Sequence, residues 1–166
     1  MDVRQRRILA ERELLRQLSK QSSLIEVVEL NNVGDKYCVF YKCKGLVWLP
    51  NRPRPSVITK HAMEIYLHVN YPRMPPRLQW LTDIFHPNIL PPSRNGGICI
   101  GNWTPAETLD QLVLRIGEMV QYKNYSTKDA LNLEAAMWAE ENQAALPVDV
   151  TPLLGQAKPN AAIGVD

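Results

Sequence analysis

Apolar and polar positions follow two different periodicities along the chain, and these predict the order of its elements. In residues 1–20, apolar residues recur at helical spacing among arginine, glutamate and glutamine, which predicts an amphipathic helix. Four runs rich in β-branched and aromatic residues then predict strands: 24–30, 37–49, 57–69 and 77–81. Because the connections between them are short, they favour an antiparallel meander over a parallel sheet, which would need helical crossovers.

Two further helices are predicted behind the strands. Thr104, Pro105 and Glu107 have the pattern of a capping box with proline at the first helical position, which predicts a helix start. An apolar stripe at helical spacing follows: Leu109, Leu112, Val113, Ile116, Met119 and Val120. Ser126 and Asp129 have the spacing of a second capping box. The packing face of the helix it would open is expected to be Leu131, Ala135, Trp138 and Ala139.

Together these elements predict a single domain of the α+β class, with an N-terminal helix, a four-stranded antiparallel meander, a long loop and C-terminal helices. We expect the domain to span residues 1–146 and residues 147–166, rich in proline, alanine and glycine, to form an extended tail. The stretch from Tyr71 to Pro105 is dense in proline, asparagine and glycine and has little periodicity. A stretch of this kind is often functional, so we expect the chemistry there.

Composition narrows the function classes. The 166 residues include 19 basic and 17 acidic side chains, and the net charge of +2 is too small to indicate nucleic-acid binding. No apolar run approaches the roughly 18 residues of a membrane span, and the N-terminus has no hydrophobic signal region, so we expect a cytoplasmic protein. Three cysteines without a C-x-x-C pair indicate free thiols and predict neither a disulfide framework nor a metal site.

Charge is distributed unevenly between the two ends of the chain. Residues 1–20 carry six basic and three acidic side chains, whereas the residues from 129 onward carry six acidic side chains and one lysine. This asymmetry is typical of two solvated helix faces, and it is equally what a basic docking face for an acidic partner would show.

Among the cysteines, Cys99 alone lies in a loop-like context, where glycines on both sides let the backbone approach a ligand closely. Cys38 and Cys43 fall in a strand pattern, where cysteine behaves as a small hydrophobic residue. Local context leaves Cys99 as either a buried thiol or a nucleophile. A papain-like site would pair it with a histidine such as His86, although a histidine beside a proline also braces turns. Asn88 could donate to an oxyanion or brace the same turn.

An ordered series of motifs lies between residues 71 and 142. In chain order it is Tyr71-Pro72-x-x-Pro75-Pro76, Trp80-x-Thr82, Phe85-His86-Pro87-Asn88-Ile89, Gly97-Ile98-Cys99-Ile100, Trp103-Thr104-Pro105, Thr108-Leu109 and Asp129-x-Leu131-Asn132-x-x-Ala135-Ala136. The HPN triplet alone is a weak signal, but HPN followed by a G-I-C-I cysteine and then W-T-P is specific. Over nearly half its length the chain therefore resembles the catalytic core of the ubiquitin-conjugating enzyme family.

The resemblance implies an acyl transferase. Cys99 would accept the C-terminus of a ubiquitin-like modifier from an activating enzyme, and a substrate lysine or a ligase thiol would then attack the thioester. Asn88 is implied to stabilise the oxyanion or to order the active-site loop, and Asp129 to orient or deprotonate the lysine. The positions implied to be structural are His86, Pro87 and Trp103. No metal or organic cofactor is implied, because ATP is consumed upstream.

The resemblance also implies partner surfaces. In the family the first helix helps to dock the activating enzyme, which makes Arg4, Arg6 and Arg7 candidate contacts. Met74 and Pro105 would lie on the surface that ligases contact, although the Met74 loop lacks the aromatic residue that many members carry there. Whether a ligase is needed stays open.

The chain departs from the family beside the thiol, where only residues 100–102 separate the cysteine from Trp103 and several more are usual. The departures indicate a remote branch, and a bacterial ubiquitin-like conjugation pathway with a role in antiviral defence is one hypothesis for its origin. Two alternatives stay open. One is a non-catalytic binding module of the same fold, and the other is a cysteine hydrolase of another fold that uses Cys99 and His86.

Overall fold

An N-terminal helix, α1 (Val3–Gln21), packs against an antiparallel sheet in the computed structural model, which describes residues 1–155. Its start is set by Asp2, whose carboxylate accepts a hydrogen bond from the Gln5 N–H while the Gln5 side chain accepts one from the Asp2 N–H. The face that meets the rest of the protein includes buried Ile8, Leu15 and Leu18. The helix predicted for residues 1–20 is confirmed.

Six strands form two sheets. They are β1 (Ile25–Glu29), β2 (Lys36–Tyr41), β3 (Gly45–Val47), β4 (Ser56–Ile58), β5 (His61–Tyr66) and β6 (Arg77–Trp80). The larger sheet has the order β1-β2-β5-β6, with every pair antiparallel, and β3 pairs with β4 in a separate hairpin. The predicted four-stranded antiparallel meander and the α+β class are therefore confirmed.

The two longest predicted strands are each broken in two. The run 37–49 divides into β2 and β3, and the run 57–69 divides into β4 and β5. Between β2 and β3 the Lys44 N–H donates to the Asp149 carboxylate at 2.8 Å, so the chain leaves the sheet ladder there. Apolar residues continue through the break because both sheets cover buried surface, which is why the hydropathy pattern did not show it.

Both C-terminal helices begin later than the sequence predicted. Helix α2 (Leu109–Val120) starts after Thr108, whose N–H donates to the Gln111 side chain at 3.1 Å, and residues 104–107 form a turn instead. Helix α3 (Leu133–Glu141) starts after Asn132, whose side chain accepts a hydrogen bond from the Ala135 N–H. Each true cap satisfies a backbone group at the helix start, whereas Thr104 and Ser126 accept from the N–H groups of Ala106 and Lys128 in the turns that they begin.

The predicted packing face of the last helix is partly wrong. Ala135 and Ala139 are buried as expected, and Trp138 is half-buried in a second, smaller core with Phe85. Leu131, however, lies before the helix and is 37% exposed. Because the helix begins two residues after Leu131, the helical spacing that placed it on this face does not apply to it.

The main core lies between α1, the larger sheet and α2. One charged group is buried within it: Glu11 of α1 accepts hydrogen bonds from the Leu109 N–H at the start of α2 and from the Tyr71 hydroxyl. The Arg7 side chain pairs with the same carboxylate at 3.3 Å. A buried carboxylate is tolerated only when it is paired and hydrogen-bonded, so Glu11 ties the first helix to the region that will carry the site.

The segment after α3 returns to the main core. Leu153 is 5% exposed and belongs to the main core, while Ser22 donates to the Leu153 carbonyl at 2.7 Å. The division into a domain of 1–146 and a tail of 147–166 stays a prediction, and residues 156–166 of that tail lie outside the described residues. None of the helices within residues 1–155 has the length and apolar character needed to cross a membrane.

Candidate active site

The Cys99 thiol is exposed, whereas both other cysteines are buried. Its backbone N–H donates to the Asn88 carbonyl at 2.9 Å, next to a short bridge between Ile89 and Ile98. Burial raises the pKa of Cys43 to about 12, with the Asp149 charge as a further cause. Burial also raises the pKa of Cys38. Since the thiolate is the reactive form, Cys99 is the thiol best placed for chemistry.

The segment 85–89, which we call the inner wall, lies behind the thiol and is buried. His86 holds it in place: its Nδ1 accepts from the Asn88 N–H at 2.9 Å, and its Nε2 donates to the Met119 carbonyl at 2.6 Å. Burial lowers the pKa of His86 to about 3, so the ring is neutral at ordinary pH. With both ring nitrogens occupied, His86 is a structural residue and offers no base to Cys99.

The Asn88 side chain is tied to the loop in front of α3. Its amide N–H donates to the Ser126 carbonyl at 3.0 Å, and its carbonyl accepts from the Ser126 N–H at 2.8 Å. The Pro87 carbonyl accepts from the N–H groups of Leu131 and Asn132 and so anchors the other end of this loop. In this conformation the HPN segment orders the loop, and one amide hydrogen of Asn88 is left for another acceptor.

A groove of about 340 Å³ joins the thiol to that loop. Cys99, Asn88 and Asp129 all line it, so the structure brings together the three residues that the sequence predicted as catalytic. Asp129 is exposed and has a φ of 54°, in the left-handed region that aspartate tolerates better than most residues. Because α3 begins only at Leu133, the alternative role of Asp129 in a helix capping box is wrong.

Trp103 fastens the segment after the cysteine to the loop after β5. Its indole N–H donates to the Pro72 carbonyl at 2.9 Å, and its ring lies 5.9 Å from that of Tyr71. Met74, 51% exposed, and Pro105, also exposed, lie on the two loops that this contact joins. Both side chains are therefore open to a partner, and their role as ligase contacts stays a prediction.

The three arginines predicted to dock an activating enzyme differ in what they do. Arg4 donates to the carbonyls of Leu67, His68 and Tyr71, which fixes the chain after β5. Arg7 donates to the carbonyls of the 104–107 turn. Arg6 is exposed and free of such bonds within residues 1–155. Docking stays a prediction for all three, but Arg4 and Arg7 also have structural roles that the charge pattern could not reveal.

A residue missed by the sequence analysis also borders the groove. Arg115 of α2 donates to the Ile100 carbonyl at 2.6 Å, one residue after the cysteine, and forms two hydrogen bonds with Glu107. The available signal was an arginine at the edge of the apolar stripe of α2. Within the part of the chain that the structure describes, no three His, Cys, Asp or Glu side chains form a group that could hold a metal ion.

The family assignment follows from comparison with known proteins. Residues 57–150 match the family model described as "Ubiquitin-conjugating enzyme". The chain belongs to the ubiquitin-conjugating enzyme family. The match covers β4 through α3, and therefore the inner wall, Cys99 and the groove.

Individual relatives of this ubiquitin-conjugating enzyme family member show the same likeness. Ubiquitin-conjugating enzyme E2 13 of Schizosaccharomyces pombe is 32% identical over 88 residues, which is 51% of this chain and 56% of the relative. The protein of the same name in Saccharomyces cerevisiae is 34% identical over 87 residues, 50% of this chain and 54% of the relative. The chain thus spans about half the length of the curated relatives it matches.

A solved structure extends the likeness to the whole fold. The ubiquitin-conjugating E2 domain from Toxoplasma gondii superimposes with a TM-score of 0.59 at 25% sequence identity, covering 85% of this chain and 89% of that one. The first helix and the larger sheet, which precede much of the family-model match, therefore belong to the same architecture. These relatives are all eukaryotic, and the bacterial origin stays a hypothesis.

Proposed function

We propose that this chain carries a ubiquitin-like modifier as a thioester on Cys99 and transfers it to a lysine amine or to a ligase thiol. The observation that carries the proposal is the exposed Cys99 in a groove that also contains Asn88 and Asp129, in a member of the ubiquitin-conjugating enzyme family. A cysteine hydrolase is disfavoured, because the only histidine near this site is fully buried and uses both ring nitrogens structurally.

Loading is a transfer between two sulfur atoms. The Cys99 thiolate attacks the carbonyl carbon of the thioester that joins the modifier's C-terminus to an activating enzyme, a new C–S bond forms, and the old C–S bond breaks. The activating enzyme leaves as a thiolate and takes up the proton that Cys99 lost. Since one thiol replaces another, the equilibrium constant of the exchange is close to one and the step needs no strong base. This fits the absence of a Cys–His pair at Cys99 among residues 1–155.

Discharge of the thioester to an amine requires removal of a proton and stabilisation of an oxyanion. A neutral lysine amine attacks the thioester carbon, a C–N bond forms, and the tetrahedral intermediate carries its negative charge on oxygen until the C–S bond to Cys99 breaks. The amine proton must leave, and the Asp129 carboxylate, which is exposed and lines the groove, is the candidate group to orient the lysine and accept that proton. The remaining amide hydrogen of Asn88 is the candidate donor to the oxyanion.

A gel without reductant tests the carrier. The protein is mixed with ATP, ubiquitin or another ubiquitin-like protein, and the matching activating enzyme. We expect an adduct that a thiol reductant removes, that disappears in Cys99→Ala, and that Cys99→Ser replaces with a reductant-stable ester. Cys38→Ala is the matched control, since Cys38 lies on the sheet and its loss should leave the adduct unchanged.

Each of the following outcomes would contradict the proposal that Cys99 carries the modifier. Binding of the modifier without an adduct, across ubiquitin and a panel of ubiquitin-like proteins, would indicate a non-catalytic binding module. Cleavage of preformed conjugates, dependent on Cys99, would indicate a hydrolase. An adduct that persists in Cys99→Ala would place the chemistry on a different thiol.

A further inference from the structure

The short segment after the cysteine, residues 100–103, which we call the outer rim, has few internal supports. Gly101 and Asn102 are exposed and make no hydrogen bond within residues 1–155. The rim is held at its far end by the Trp103 indole on the Pro72 carbonyl. At its near end, the contact on the residue next to Cys99 is the one from Arg115 to the Ile100 carbonyl, at 2.6 Å.

Arg115 is itself held before it reaches the rim. Its Nε and Nη2 donate to the two carboxylate oxygens of Glu107 at 3.0 and 2.8 Å, which leaves Nη1 directed at the Ile100 carbonyl. This two-point pairing uses the planar guanidinium as a fork and fixes its orientation. Glu107 sits on the 104–107 turn, whose carbonyls Arg7 also holds at 2.7 and 2.9 Å.

The pair is shielded enough to persist without being buried. The side chain of Glu107 is 14% exposed and that of Arg115 is 29% exposed. Partly exposed ion pairs contribute less to overall stability than buried hydrogen bonds do, because solvent screens them. Because the pair lies against the rim, beside the thiol, we expect its main effect to be on the local structure of the rim.

We infer that Arg115 is a positioning residue for Cys99, oriented by Glu107, which fixes the rim so that the thiol meets an incoming thioester in the reactive geometry. The inference rests on the proposed function, because positioning matters only if Cys99 exchanges acyl groups. Only residues 100–102 of the rim separate Cys99 from Trp103, and an arginine from α2 supplies the support that so short a loop cannot supply itself. Small misplacements of a reacting atom can cost up to about a hundredfold in rate.

The chain offers a matched control pair. Arg12 of α1 donates through Nε and Nη2 to the two carboxylate oxygens of Glu29 on β1, at 2.9 and 2.8 Å. Its geometry and partial exposure are like those of the Arg115 pair, but it lies outside the groove. Arg12→Ala therefore removes a two-point ion pair without touching the rim, while Glu29 keeps its contact with Arg16 at 3.0 Å.

The kinetic test measures thioester loading at varied concentrations of charged activating enzyme. We expect Arg115→Ala to lower kcat about tenfold or more with KM unchanged, and Arg115→Lys to recover part of the loss. Arg12→Ala should keep the kcat of the parent, and any effect of α1 on docking should be confined to KM. Glu107→Ala should lower kcat less, and the double variant should be no worse than Arg115→Ala, because Glu107 acts through Arg115. An unchanged kcat in Arg115→Ala, or a loss confined to KM, would overturn positioning and would identify a partner contact in the latter case.

A second measurement does not need the modifier. Backbone order parameters from ¹⁵N relaxation at Gly101 and Asn102 should fall below about 0.6 in Arg115→Ala and stay near the rigid value of about 0.85 in the parent and in Arg12→Ala. Unchanged order at the rim would overturn the inference even if Cys99 loads normally. If the parent forms no thioester while the rim still loosens, the proposed function fails and Arg115 is shown to order the rim alone.

Discussion

The two segments that border the Cys99 thiol are held in opposite ways. The inner wall, residues 85–89, is buried and is fixed by neutral groups: His86 between two backbone groups and Asn88 on the backbone of Ser126. The outer rim, residues 100–103, is largely exposed and is fixed by an ion pair from another element. The inner wall is therefore part of the buried core, whereas the outer rim is a largely exposed segment held by a side chain from α2.

Because of this difference, we expect the two segments to contribute differently to stability and to rate. Buried hydrogen bonds are costly to break because each lost partner leaves a polar group without water, so the inner wall contributes to stability as well as to the site. An exposed ion pair contributes little to stability and can be adjusted, so substitutions at the rim should change rate more than folding. The following predictions are arranged to separate the two segments, beginning with the largest expected effect.

Removing the imidazole of the inner wall should be the most destructive change. His86→Ala leaves the Met119 carbonyl and the Asn88 N–H without partners and opens a cavity, so we expect a loss of about 3 to 5 kcal/mol in the free energy of unfolding. Arg115→Ala should lose less than about 1 kcal/mol. Urea denaturation of both variants measures the difference, and equal losses would mean that wall and rim contribute alike. If His86→Ala does not fold, the smaller change His86→Gln gives the same ranking.

Truncating the amide of the inner wall should affect rate and stability together. Asn88→Ala should still load the modifier but discharge it to free lysine about a hundredfold more slowly, because it loses both the loop tie and the candidate oxyanion donor. Asn88→Asp keeps the half of the loop tie in which the side chain accepts from the Ser126 N–H, but it loses both the bond to the Ser126 carbonyl and the candidate oxyanion donor. Single-turnover discharge of the thioester to free lysine is measured for both variants. Discharge at the parent rate in Asn88→Ala would remove Asn88 from the mechanism.

The thiol and its neighbours could be predicted from sequence because their signal is local. HPN, the G-I-C-I cysteine and W-T-P are each short, contiguous motifs, and within HPN the Asn88 N–H donates to the His86 ring two residues away. The helix starts were misplaced for the converse reason. Residues 104–107 and 108–111 offer similar capping patterns, and which one caps a helix depends on packing that the pattern does not contain.

Long-range contacts explain the rest of what was missed. Arg4 and Arg7 fit a solvated basic face in sequence, yet their guanidinium groups meet carbonyls more than sixty residues away. Arg115 lies at the edge of the apolar stripe of α2, and nothing nearby in the sequence identifies the Ile100 carbonyl as its partner. Such contacts are set by the tertiary fold, so residue types and spacing cannot identify them.

Acid should weaken the inner wall. A histidine kept neutral by burial gains its proton only on unfolding, so His86, with a pKa of about 3 against about 6.5 in the unfolded chain, favours unfolding as pH falls below about 6.5. From about pH 8 to pH 5 this costs about 2 kcal/mol, and buried His61, whose pKa burial also lowers, acts in the same direction. Glu29 contributes only below its ordinary pKa, because Arg12 lowers its pKa to about 2.

The measurement is urea denaturation across this range for the parent and His86→Gln. His86→Gln should have a lower free energy of unfolding than the parent. The slope of that free energy against pH should correspond to about one proton fewer than in the parent, whereas Arg115→Ala should keep the slope of the parent. If His86→Gln and the parent had the same slope, His86 would be protonated equally in the folded and unfolded chains, and the picture of a neutral inner wall would be wrong.

Salt should produce the smallest effect and, of the two segments beside the thiol, act on the rim alone. Raising ionic strength from about 0.05 M to about 0.5 M screens the Arg115–Glu107 pair, so exchange of the Arg115 Nε hydrogen with water should accelerate by about two- to threefold. The Arg12 Nε hydrogen, bound to Glu29, should respond similarly, whereas the Nε2 hydrogen of His86 should not, because its bond to Met119 is buried and neutral. NMR of these side-chain N–H groups measures all three in one sample. If the His86 hydrogen responded as strongly as that of Arg115, the two sides of the thiol would not differ in the nature of their supports.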